Sequence, residues 1–65
     1  MTRNEAESII ISRLVINSAS HMESAKEMPQ LAQNSADACR NNQEAAAAFG
    51  IEDQYLARLS QFING

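Results

Sequence analysis

The side chains that could support catalysis cluster in the first half of the chain, where three serines surround the single histidine. Ser18, Ser20 and Ser24 flank His21, and a hydroxyl beside an imidazole is one component of a nucleophilic site. On a helix only residues three or four positions apart face one another, so His21 would meet Ser18 or Ser24. No acidic residue falls on that same side. The pattern therefore predicts a polar or half-buried histidine, and no catalytic residues.

Metal and thiol chemistry have few candidates. Cys39 is the only cysteine and His21 the only histidine, so the chain forms no internal disulfide and the two residues cannot complete a four-ligand zinc site alone. Cys39 lies among alanines, which favours a small buried side chain over a nucleophile. We expect no metal and no cofactor. A lone thiol is typical of a reducing compartment, so the sequence predicts a cytoplasmic protein.

The first helix is predicted over roughly residues 3–27. Thr2 and Glu5 have the spacing of a capping box at a helix start, and Pro29 disfavours helical geometry in the residue before it. The segment SIIISRLVINS, residues 8–18, is rich in β-branched side chains and could also form a buried strand. A helix is favoured because no other segment could pair with such a strand.

At 100° per residue, the aliphatic side chains of this helix point in nearly all directions over two turns. Neighbouring helices of the same chain can cover only one side. A chain of 65 residues is also short for a stable isolated core. We therefore expect a homodimer whose interface contains Ile9, Ile10, Ile11, Leu14, Val15 and Ile16.

After Pro29 the sequence becomes alanine-rich, with Leu31 the single large apolar residue over residues 29–48. Helices are predicted over roughly 30–40 and 42–49, fused or kinked where the two asparagines Asn41 and Asn42 favour a cap. Gly50 supplies a left-handed residue that closes a helix. A last helix follows over roughly 52–63, with Glu52 and Asp53 complementing its dipole. The predicted fold is an all-α bundle of three to four helices in a single domain, residues 1–65.

The segment NNQEAAAAFGIEDQYLARLSQ, residues 41–61, resembles a helix-turn-helix motif from Asn42 onward. An alanine stands at the tight helix crossing and a glycine at the turn. The resemblance implies a helical corner formed by Ala46, Phe49, Gly50, Ile51, Leu56 and Leu59, together with Ala45. It also implies DNA binding through the second helix, whose start here carries two carboxylates that would repel phosphates.

Three short segments are similar to the Rop family of RNA-binding helical hairpins, which dimerise into four-helix bundles. They are MTRNE at the N-terminus, ADAC at residues 36–39 and LAR at residues 56–58. The resemblance implies a bundle. Of the RNA-binding positions in the first helix only Arg3 matches, and Ile10 and Leu14 replace polar and aromatic residues.

Charge and composition separate the remaining function classes. The net charge is −3 and the five basic residues are dispersed, which disfavours nucleic-acid binding. The apolar run in the first helix is interrupted too early for a signal peptide or a membrane span. The acidic, alanine-rich composition resembles that of accessory proteins of bacteria, phages and plasmids. We expect a non-enzymatic modulator or adaptor whose partners are a second copy and an unidentified protein, with a DNA-binding regulator and an RNA-binding bundle as alternatives.

Overall fold

The computed structural model describes residues 1–65 and contains helices but no strands, which confirms the predicted all-α fold. Helix α1 spans Arg3–Glu27, a short 3-10 helix follows at Pro29–Leu31, α2 spans Ala32–Ala48 and α3 spans Glu52–Asn64. Helix α1 packs against both α2 and α3. None of the helices combines the length and hydropathy needed to cross a lipid bilayer.

Helix α1 begins and ends where local chemistry predicts. The Glu5 amide donates to Thr2 Oγ1 at 3.1 Å, and the Thr2 amide donates to Glu5 Oε1 at 3.2 Å, which completes the capping box. At the other end Met28 leaves helical geometry, with φ −131° and ψ 89°, immediately before Pro29. The β-branched run is helical, so the alternative of a buried strand is excluded.

Helix α2 is continuous, and the break considered at Asn41 and Asn42 is absent. Helix formation after Pro29 also starts as a single 3-10 turn before α2 begins at Ala32. The side chain of Asn42 forms hydrogen bonds to α1 and does not cap a helix. Tertiary contacts therefore override the usual preference of asparagine for helix ends.

Gly50 makes the corner between α2 and α3. Its φ is +74°, the only positive φ in the chain, as predicted for a glycine that ends a helix. The Gly50 amide donates to the Ala47 carbonyl at 3.0 Å and the Ile51 amide to the Ala46 carbonyl at 2.9 Å. These bonds satisfy carbonyls that the end of α2 would otherwise leave unpaired.

The hydrophobic core is small and draws on all three helices. Its buried apolar members are Ile11, Val15, Ala46, Ile51 and Tyr55, with Ile10, Leu14 and Leu59 packed against them. Ala46 has no exposed surface, so α2 approaches its neighbours closely at this position. A core of this size leaves several large apolar side chains on the surface.

Candidate protein-interaction surface

The serine that sequence reasoning paired with the histidine is part of the helix packing. Ser18 is completely buried, and its hydroxyl lies 2.7 Å from the Tyr55 hydroxyl on α3. It also accepts a hydrogen bond from Asn42 Nδ2 on α2 at 2.8 Å. The Ser18 hydroxyl therefore links α1 to both α2 and α3, and its role is structural.

Asn42 is the centre of this polar network. Besides Ser18, its amide group donates to Asn17 Oδ1 at 3.0 Å and approaches the Leu14 carbonyl at 3.4 Å. The Cys39 thiol lies 3.8 Å from the Ser18 carbonyl. Every buried side-chain nitrogen and oxygen has a hydrogen-bond partner, so the network holds α1, α2 and α3 in one arrangement. Sequence reasoning missed Asn42 because its partners lie 24 or more residues away in the chain.

Two further polar residues, Arg3 and Glu52, also have partners within the folded chain. Arg3 forms an ion pair with Glu7 one turn along α1, at 3.1 Å. Glu52 accepts a hydrogen bond from Gln43 Nε2 at 2.7 Å, which links the start of α3 to α2. No group of three or more histidine, cysteine, aspartate or glutamate side chains is placed to hold a metal ion.

The six residues predicted for the dimer interface divide between the inside and the outside of the chain. Ile11 and Val15 belong to the chain's own core, and Ile10 and Leu14 pack against it. Ile9 and Ile16 are exposed to 41% and 58%. Only these last two remain fully available to a second copy without unfolding, which matches the expectation that one side of α1 faces its own chain.

An open apolar groove runs between the second half of α1 and the end of α3. Its volume is about 390 Å³, and its lining residues are Ile16, Ala19, Ser20, Met22, Glu23, Lys26, Phe62 and Ile63. A smaller depression of about 130 Å³ extends it beside Arg58 and shares two of these residues, Ile16 and Phe62. We call this surface the α1–α3 groove. It is the largest depression on the molecule.

Three large apolar side chains of the α1–α3 groove are exposed. Ile16 is 58% exposed, Phe62 57% and Ile63 47%. The helical spacing of the last helix predicts one broad apolar face that contains Tyr55, Leu56, Leu59, Phe62 and Ile63. Only part of that face is covered in the folded chain, because Tyr55 and Ile51 are buried near the start of α3 whereas Phe62 and Ile63 near its end are exposed.

The helical corner is formed in part as predicted. Ala46 and Ile51 are buried and Leu59 is half-buried, but Phe49 is exposed to 61% and Leu56 to 40%. The prediction that Phe49 and Leu56 are buried between the two helices is therefore wrong. Tyr55 is the residue of α3 that is buried in the core, whereas the side chain of Phe49 is exposed to solvent.

Comparison with protein-family models, with curated protein sequences and with solved structures found no match to the chain.

Proposed function

We propose that this chain is a small non-enzymatic protein-binding module, a modulator or adaptor, that works as a helical homodimer. The observation that carries the proposal is the α1–α3 groove, where Ile16, Phe62 and Ile63 expose apolar surface side by side. Adjacent exposed apolar side chains beside a depression are characteristic of protein-interaction sites.

The size of the exposed surface supports association. The chain of 7.1 kDa exposes 4567 Å², whereas a monomer of this mass is expected to expose about 4,100 Å². Its radius of gyration is 12.2 Å, compared with about 10.7 Å for a compact domain of the same length. The isolated chain is thus elongated and buries less of its surface than a typical monomer. A second copy seated on the groove would bury more.

A role without catalysis is supported by how the reactive side chains are used. The hydroxyls of Ser18 and Tyr55 are buried and bonded to each other. The Cys39 thiol is directed to the backbone of α1. These groups stabilise the packing of the helices, whereas the apolar groove offers shape and hydrophobic contact.

The opposite end of α3 offers a surface for a different protein. Phe49 is exposed beside Gly50, and the carboxylates of Glu52 and Asp53 follow it closely. An aromatic side chain flanked by negative charge suits a partner that presents an apolar pocket within a basic surface. Helix α3 is 13 residues long, or about 20 Å, so this corner stays accessible when the groove is covered.

The homodimer is tested by sedimentation equilibrium of the parent and of two groove variants, Phe62→Gln and Ile16→Gln. Each should weaken the dimer at least about tenfold, because the few apolar anchor residues at the centre of an interface each cost about 2 kcal/mol or more when truncated. Phe49→Gln is the matched control, since it removes the same ring from a site of similar exposure outside the groove. Circular dichroism of each variant verifies that the helices are retained.

A parent protein that sediments as one chain of 7.1 kDa at micromolar concentration would contradict the proposal. So would equal weakening by Phe62→Gln and Phe49→Gln. The second partner is tested by nuclease-treated affinity capture with parent and Phe49→Gln protein, followed by titration of the purified captured protein. The proposal requires weaker binding by Phe49→Gln without loss of its dimer.

DNA binding through α2 and α3 is a second candidate, favoured by the corner geometry. Gly50 has a positive φ and Ala46 is completely buried where the helices cross, which are features that a helix-turn-helix requires. The charges at the start of α3 oppose it. RNA binding of the Rop type has less support, since Arg3 alone matches and it is paired with Glu7.

A further inference from the structure

A stripe of exposed residues runs along α1 on the side opposite its core face. Its members are Ile9, Arg13, Ile16, Ser20, Glu23 and Glu27, and all of them are exposed. Their spacing alternates between four and three residues, which is the spacing that keeps a seam on one side of a helix packed against another helix. The stripe forms one wall of the α1–α3 groove through Ile16, Ser20 and Glu23.

Residues of the stripe that lie equally far before and after Ser18 are complementary in charge or in size. Arg13 lies five residues before that level and Glu23 five residues after it. Ile16, which protrudes, lies two residues before it, and Ser20, a small residue beside the depression, lies two after. The positive Arg13 and the negative Glu23 are therefore equally far from Ser18 along the helix. The exposed Ile16 and the small Ser20 beside the depression are also equally far from it.

We propose that two copies of this chain pair through their α1 helices in antiparallel orientation, with a two-fold axis at the level of Ser18. Each Ile16 then enters the partner's groove beside Ser20, and each Arg13 faces the partner's Glu23. This inference names the register of the dimer proposed above and rests on that proposal.

The charges select antiparallel over parallel pairing. In a parallel two-fold dimer each residue meets its own counterpart, so Arg13 would face Arg13 and Glu23 would face Glu23. Antiparallel pairing about Ser18 replaces both repulsions with two equivalent attractions, as an isologous contact requires. At each end of the contact Ile9 of one copy faces Glu27 of the other, and the Glu27 carboxylate stays in water.

The neighbouring groove residues complete the contact. Ala19 and Ser20 are small and leave the depression open, while Met22 and Phe62 border it. Methionine adapts its shape to an incoming side chain. Ile16 lies beside that depression, and pairing about Ser18 brings it to the partner's Ser20. Pairing Ile9 with Ile16 would instead leave Arg13 without an acidic residue opposite it.

The register is tested by charge exchange in the full-length protein. Arg13→Glu and Glu23→Arg should each weaken the dimer about tenfold at low salt, because each change replaces two attractive pairs with two repulsive ones. The double variant Arg13→Glu with Glu23→Arg restores opposite charges across the interface and should return the dissociation constant to within about threefold of the parent. Arg40→Glu on α2 is the control for the change in net charge.

Two outcomes would overturn the register. One is a pair of single variants that dimerise like Arg40→Glu. The other is a double variant whose dimer is destabilised by the sum of the free-energy losses of the two single variants. Either result with an intact parent dimer rejects the register and leaves the homodimer standing, whereas a monomeric parent rejects both.

Disulfide cross-linking tests the register a second time with substitutions that leave the net charge unchanged. In a Cys39→Ala background, chains carrying Ile16→Cys are mixed with chains carrying Ser20→Cys under mild oxidation. Disulfides between the two kinds of chain should form faster than disulfides between identical chains, since the register places positions 16 and 20 at one level. Preferential linking of two Ile16→Cys chains would contradict it.

Discussion

At the scale of single residues, the stability of this protein depends on a buried polar contact as well as on its few apolar core residues. Tyr55 buries its ring in the core, and its hydroxyl reaches Ser18 on α1 at 2.7 Å. Ser18 in turn accepts from Asn42 on α2. A buried hydrogen-bonding group that loses its partner carries the full cost of its desolvation. Each of these residues therefore affects all three helices.

Ser18→Ala should destabilise the folded state by about 1–3 kcal/mol, because it leaves the Tyr55 hydroxyl and one Asn42 hydrogen bond without a partner. Ser8→Ala makes the same chemical change at an exposed position of the same helix, outside the α1–α3 groove, and should stay within about 0.5 kcal/mol of the parent. Urea denaturation at one fixed protein concentration compares the two, since the proposed dimerisation would make stability depend on concentration. Equal midpoints for the two variants would show that the buried contact contributes nothing.

At the scale of elements, the connections between helices depend on two residues with restricted or unusual backbone geometry. Pro29 follows the last turn of α1 and opens the 3-10 turn that leads into α2. Gly50 reverses the chain between α2 and α3 with φ +74°. A Cβ atom added at Gly50 would meet no atom within 4 Å. Any cost of substitution there comes from the backbone and not from a steric clash.

Gly50→Val should therefore destabilise the protein by about 1 kcal/mol or more, since β-branched residues disfavour positive φ. Gly50→Asn is the matched comparison, because asparagine tolerates the left-handed region and occurs at helix ends. We expect the order glycine, asparagine, valine in thermal midpoints. A difference of 1 kcal/mol corresponds to about 4–8 °C for a domain of this size. A valine variant that melts with the parent would argue against strain at this corner.

At the scale of the whole molecule, charge separates the proposed protein-binding role from DNA binding. The chain carries a net charge of −3, and the exposed start of α3 presents Asp53 beside Glu52, which is bonded to Gln43. A helix that enters the major groove brings its N-terminal residues close to phosphates. Carboxylates at this position repel DNA.

Replacing both acids, Glu52→Lys with Asp53→Lys, should create or raise non-specific DNA affinity. About two added phosphate contacts should steepen the salt slope by roughly −0.9 each. Fluorescence anisotropy with one duplex at two salt concentrations measures this. The control Glu52→Gln with Asp53→Asn removes the charges without adding new ones. Tight, sequence-selective binding by the parent that the lysine variant loses would place DNA binding first among the candidate functions.

The sequence by itself determined the features that depend on neighbouring residues. Thr2 and Glu5 identified the start of α1, Pro29 its end and Gly50 the corner before α3, and the structure confirms each. These predictions succeeded because capping, proline geometry and positive φ arise from contacts within a few residues. The all-α class followed from the composition of the whole chain, because no other segment could pair with the β-branched run as a strand.

Only the tertiary structure decided which side chains are buried between helices. Asn42 looked like a helix break, but its partners on α1 make it a half-buried link between the two helices. Phe49 and Phe62 are equally apolar, yet one lies on the exposed corner and the other beside the α1–α3 groove. Their roles depend on where Tyr55 and Ile51 anchor α3 against α1 and α2. Such contacts join residues far apart in the chain, and helical periodicity does not specify which faces of two helices meet.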